Sequence, residues 1–278
     1  MTDYKSILVH LDAGHAAARR LEYAIDLART CDAHVACLYA LDPIPELPGA
    51  YEARHVVLEQ QREARAAMRT RAAQGFEDIR RRSGYERLEW RATEAEPRSA
   101  VALHARYADL VVAGQHDPDS PGGVDRQFLR DLPLMTGRPV LVVPYTFEAK
   151  GAPRRALVAW NASREAARAV SDALPLLRRV EHVQVVSVNA APSATGHGAE
   201  PGADVGLYLA RHGLKVAVSR IDAPDVDTGN LLLSRAFDLQ ADLIVSGAWG
   251  HSRLRESVLG GVTRTFLESM TVPVLMSH

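Results

Sequence analysis

A chain of 278 residues, 47% apolar and 6% aromatic, has the composition of an alanine- and valine-rich α/β protein and the length for two domains. Its 33 basic and 34 acidic residues leave a net charge of −1, so neither nucleic acid nor an anionic membrane surface is an expected partner. Apolar runs are strand-sized, far below the roughly 20 residues of a membrane helix. Cys31 and Cys37 build no disulfide framework, so a reduced, cytoplasmic setting is expected.

In chain order, Ser6–Leu11 is an apolar run suited to a buried parallel strand, and its apolar core is too short for a secretory leader. An apolar stripe at Leu21, Ala24, Ile25, Leu27 and Ala28 predicts a helix over Ala16–Cys31. His34–Ala40 reads as a strand, Val56–Gly84 as a long helix dense in arginine and glutamate, and Leu88–Ala92 as a third strand. Helix Arg98–Tyr107, strand Leu110–Ala113, helix Arg126–Thr136 and strand Val140–Pro144 complete a unit. The run Arg80–Arg82 lies among Glu77, Asp78, Glu86 and Glu89 and reads as a solvated helix end.

The unit then repeats. Residues 6–40 match 155–189 without a gap, pairing Asp12 with Asn161 at an offset of 149. Ser99–Gln115 matches Leu231–Ala248 at an offset of 133, and Arg138–Val142 matches Val272–Met276. Collinear matches of this kind mean duplication. The polar, Gly/Pro-containing segment Phe147–Arg154 is the seam, which predicts domains at residues 1–148 and 153–278. The fourth and fifth strands of the second copy are expected at Leu243–Ser246 and Val272–Met276. Alternating strands and helices predict five-stranded parallel sheets with helices on both faces, joined by right-handed crossovers. Ligands of such sheets sit beyond the carboxyl ends of the strands, where strand order reverses.

The densest chemical signal is Gly247-x-x-Gly250-(x9)-Gly260-Gly261, opening directly after an apolar strand. Spaced glycines between strand and helix let backbone N–H groups approach an anion, which predicts a phosphate cradle; a turn and a helix cap are the plain alternative. Arg253 and Arg255 either add charge beside a polyphosphate or solvate the loop. The first copy lacks the cradle: Asp117 stands where the second glycine belongs, Asp119 follows, and Gly122-Gly123 comes five residues early. That half is therefore expected to be structural, although Asp12, Asp117 and Asp119 compose either a divalent-metal site or, more simply, a solvated acidic loop. His10, His15, His34 and His116 have no ligand-like spacing with cysteine and read as core or surface residues.

The duplicated units, the carboxylate ending the first strand and the G-x-x-G-(x9)-G pattern resemble the universal stress protein family, in its tandem two-domain bacterial form. The resemblance covers essentially the whole chain. It implies a pair of Rossmann-like domains forming an internal pseudo-dimer through their fifth strands, here Arg138–Tyr145 and Val272–His278, and further dimerisation is open. It implies ATP or another adenine nucleotide, with or without Mg2+, between the first and fourth strands of the second copy. The carried-over positions are Asn161 for ribose or base, Val188 for adenine, and Ser246, Gly247, Gly250, Gly260, Gly261, Val262 and Thr263 along the phosphates. Two positions depart from the family: Asn161 replaces an acid, and Gly261 replaces a hydroxyl residue, leaving Thr263 as the nearest hydroxyl. Trp160 either walls the adenine pocket or belongs to the core. Ala190–Gly206, rich in Gly, Pro and Ala, is expected to be a mobile loop over the mouth. The function so implied is stress-responsive regulation. The rivals are an interaction scaffold without ligand and a weak ATP hydrolase using Glu256 or the acids Asp222, Asp225 and Asp227.

Overall fold

The computed structural model describes residues 3–44, 51–120, 122–148, 151–192, 197–250 and 261–278. The first half runs β1 (Ser6–Leu11), α1 (Ala17–Cys31), β2 (His34–Leu41), α2 (Tyr51–Ser83), β3 (Leu88–Glu94), α3 (Pro97–Ala105), β4 (Leu110–Gly114), α4 (Arg126–Met135) and β5 (Val140–Val143). The second runs β6 (Arg155–Ala159), α5 (Arg164–Leu177), β7 (His182–Val188), α6 (Ala203–Arg211), β8 (Val216–Ile221), α7 (Thr228–Asp238), β9 (Leu243–Gly247), α8 (Gly261–Ser269) and β10 (Val274–Ser277).

All ten described strands join one sheet in the order β3-β2-β1-β4-β5-β10-β9-β6-β7-β8. Every neighbouring pair is parallel except β5 and β10, which run antiparallel at the centre with Leu141 opposite Leu275 and Val142 opposite Val274. The internal pairing implied by the resemblance is thus the spine of the molecule. It buries two strands that would otherwise present unpaired edges. The remaining edges, β3 and β8, are half-exposed and carry the ion pairs Arg91–Glu89 and Arg220–Asp222.

Central strands are apolar on both faces because helices cover both faces. Alternation along β1 sends Ile7 and Val9 to one core layer and Leu8 to the other. Each layer contains side chains from both halves. Hydrogen bonds tie the halves further: Gln115 Nε2 donates to the Leu267 carbonyl at 3.1 Å, and the Tyr4 hydroxyl donates to the Asp172 carbonyl at 2.6 Å.

Helix starts follow ordinary capping chemistry. Glu96 caps α3, Asp125 caps α4, Ser163 caps α5 and Asp227 caps α7, each side chain accepting a backbone N–H of the first turn. These caps follow the carboxyl ends of β3, β6 and β8 and the loop after β4, so they ring the two crevices.

Two expectations are corrected. Residues 203–206 of the expected loop form the first turn of α6, where Val205 packs into the core and Gly202 at φ +89 makes the entry turn. The long helix begins at Tyr51, five residues before the expected start at Val56, through a segment in which Glu52, Ala53 and Arg54 favour helix. Among the described residues no helix is long and apolar enough to cross a membrane.

Candidate functional site

At the end of β6 the chain turns sharply to start α5. Asn161 Oδ1 accepts the Ser163 N–H at 3.2 Å, Ala162 takes a left-handed φ of +56, and Ser163 Oγ then caps α5 at the Ala166 N–H. β9 ends beside this turn at Gly247. A Cβ there would lie 2.5 Å from Ala166 N and 2.6 Å from the Glu165 carbonyl carbon, so glycine is what lets the α5 N-terminus abut the bend. The positive end of the helix dipole consequently faces the loop.

Gly247-Ala248-Trp249-Gly250 then folds back. Trp249 holds a left-handed φ of +57, its N–H donates to Thr263 Oγ1 at 3.3 Å, and its indole Nε1–H donates to the Arg130 carbonyl of the other half at 3.0 Å. The bend is thereby anchored across the pseudo-two-fold seam. Thr263, the hydroxyl expected at the phosphates, is buried and already accepts this bond; its O–H donor, the group a phosphate oxygen would need, is not used by it.

Between β6, β7, β9 and the starts of α7 and α8 lies a cavity of about 220 Å³. Trp160, Asn161, Val188, Ser246, Gly247, Gly250, Gly261, Val262 and Thr263 all line it; Gly260 lies outside the described residues, as do Arg253, Arg255 and Glu256. Four lining residues escaped the sequence reading: Ala159, Val186, Thr228 and Leu232. Val186 was reachable as the same-face neighbour of Val188, two residues back on β7. Thr228 and Leu232 were reachable only by recognising Asp227 as a helix cap, since they sit one turn apart on α7. Asp227 itself accepts from the Asn230 N–H and from Thr265 Oγ1.

One charge tempers the bend. Glu165 is 6% exposed, and its Oε2 lies 3.2 Å from where a Gly250 Cβ would stand. Burial pushes its carboxyl up, but its own backbone N–H, Arg164 and Ser163 together hold it below the usual range, so it is ionised.

The first half has a different crevice. Asp12 forms an ion pair with Arg20 at 3.1 Å, with side-chain exposures of 9% and 3%. Burial raises the Asp12 carboxyl and the adjacent guanidinium more than offsets that, holding it below its ordinary value. Arg20 lies directly over Gly114, the counterpart of Gly247, where an added Cβ would overlap its Nη1. Asp12 therefore faces arginine, and Asp117 turns its carboxylate onto the Asp119 N–H. Beside this pair a cavity of about 360 Å³ opens over β1 and β2.

Fold and crevices define a duplicated, doubly wound α/β protein with ligand-sized spaces at both switch points. The model of the Universal stress protein family matches residues 3–134 and again 153–278, and the chain belongs to that family. No curated protein sequence matches it. Among solved structures, a universal stress protein from Archaeoglobus fulgidus DSM 4304 is similar at 14% identity and TM-score 0.69, over 99% of this chain and 96% of that one. A candidate universal stress protein from Pseudomonas aeruginosa UCBPP-PA14 follows at 18% identity and TM-score 0.59, over 99% and 93%. A functionally unknown protein from Pseudomonas aeruginosa PAO1 reaches 16% identity and TM-score 0.59, over 99% and 92%. At these identities the likeness concerns the fold.

Proposed function

We propose that this is a cytoplasmic, stress-responsive regulatory module whose C-terminal half binds ATP or a related adenine nucleotide. The observation that carries the reading is convergence: nine residues, drawn from β7, β9, α8 and the turns after β6 and β9, surround one cavity at the carboxyl ends of the strands. Ala159, Trp160, Val186, Val188 and Leu232 supply an apolar slot suited to a base. Asn161, Ser246, Thr263 and the three glycines supply polar backbone and side-chain groups suited to ribose and phosphate. Any Mg2+ would arrive on the nucleotide; beside the cavity, Asp227 Oδ2 lies 4.0 Å from where a Gly261 Cβ would stand. Buried, free Cys31 and Cys37 suit a reducing compartment.

The test is direct. Purified protein is denatured and assayed for released adenine nucleotide, and emptied protein is titrated with ATP by calorimetry. At 100 times its dissociation constant, ATP should stabilise the fold by about 2.7 kcal/mol. Gly250→Asp should abolish that shift while the protein remains folded. No binding to the emptied wild type, or equal binding to Gly250→Asp, rejects the reading.

A further inference from the structure

We propose that the N-terminal crevice is a second ligand site, rebuilt to take a small organic amine in place of a nucleotide. The cavity is closed to phosphate by the protein itself. Arg20 and Asp12 occupy the space over Gly114, and Asp117 replaces the glycine that a polyphosphate would need. What remains is about 360 Å³ at the end of β1 and β2, between the capped starts of α3 and α4.

Its floor holds an unexplained polar group. His10 lines the cavity at 2% exposure, and neither ring nitrogen has a hydrogen-bond partner among the described residues. A buried polar side chain without a partner costs stability, so native proteins rarely keep one unused. The Tyr39 hydroxyl, on a lining residue also 2% exposed, is likewise unpartnered. His10 packs against Phe128 with ring centres 4.6 Å apart and planes tilted by 38°, giving the cavity an aromatic wall.

The rim fixes the sign of the ligand. Asp42, Glu96 and Asp125 line the cavity beside one described cation, Arg98, which is spent on Glu96 at 2.6 Å and on Asp131 at 2.9 Å. With Asp12 neutralised by Arg20, the excess is negative. An ammonium or guanidinium fits that field, can donate to a neutral imidazole nitrogen and the tyrosine oxygen, and is attracted to the face of an aromatic ring. A phosphate-bearing ligand meets the opposite field.

The experiment uses the full chain carrying Gly250→Asp, so that the C-terminal crevice contributes nothing. Putrescine, agmatine and tyramine are titrated by calorimetry at low salt, with adenosine and ATP in parallel. We expect one amine per chain to bind, to weaken as salt rises, and to lose at least tenfold in affinity in His10→Leu. Asp125→Asn keeps the helix cap and should lose about threefold, which covers the case of a poorly folded His10→Leu. The proposal is overturned if none of the three amines saturates the protein at millimolar concentration. It is equally overturned if both variants bind as the parent does, or if adenosine or ATP binds where the amines do not.

Discussion

The two halves share strand order and core layers, yet their crevices differ at a few positions. Where α1 carries Arg20, the matching position of α5 is Ala169; where the first half has Asp117, the second has Gly250. Arg20 reaches over Gly114 and closes the anion position, whereas Gly247 receives the first turn of α5, the backbone of Glu165 and Ala166 and the Glu165 Cβ. The second-copy helix corresponding to the 33-residue α2 is the nine-residue α6. A duplicated fold thus keeps its hydrophobic pattern, which many residues share, and diverges at the crevice, where single side chains decide charge and space.

Four perturbations bear on that contrast. The largest effect is expected for Gly247→Ala, whose Cβ must displace the backbone of Glu165 and Ala166; we expect a loss of about 2–4 kcal/mol in urea unfolding. Gly114→Ala pushes on the end of an arginine side chain and should cost less. Equal losses would mean the two glycines do the same job. Arg20→Ala leaves Asp12 buried without its partner and should cost about 3 kcal/mol, mostly recovered when Asp12→Asn is added. If the double variant is as unstable as the single, the ion pair does not govern this crevice.

Acid should probe the first half specifically. Burial, with a contribution from Arg20, pulls the His10 imidazole down to about 4 from 6.5 although Asp12 pulls it up. A folded value below the unfolded one means that stability is fully present above about 6.5 and is lost as pH falls toward 4. The loss is on the order of 3 kcal/mol, and His10→Leu should flatten it in pH-dependent melting. An unchanged slope in that variant would assign the acid sensitivity elsewhere. Smallest is Glu165→Gln, which removes a negative charge beside Gly250 and should tighten ATP roughly three- to tenfold, or about 0.6–1.4 kcal/mol. Weaker ATP binding in that variant would mean Glu165 organises the bend more than it repels the ligand.

Much of this architecture was legible in the residues. Apolar runs marked the strands, the stripe from Leu21 to Ala28 marked α1, and collinear repeats announced the duplication. The spacing after β9 pointed to residues that do surround one cavity, because strand and bend lie within a few positions of one another. The start of α6 departs from the expected loop because Gly202 and Ala203–Gly206 have loop composition, and only the packing of Val205 against the core reveals a helix. Arg20 precedes the apolar stripe of α1, and nothing in the sequence distinguishes it from a solvated arginine.

The order of strands and helices, their repetition and the glycine bend are properties of neighbouring residues, so the sequence by itself determined them. Tertiary structure alone decided that Arg20 shields Gly114, that Thr263 is engaged by Trp249, and that Trp249 reaches the Arg130 carbonyl 119 residues away. It also decided which histidine faces a cavity without a partner. Periodicity is written locally, whereas charge compensation and cavity shape arise only when distant segments are brought into contact by a shared core.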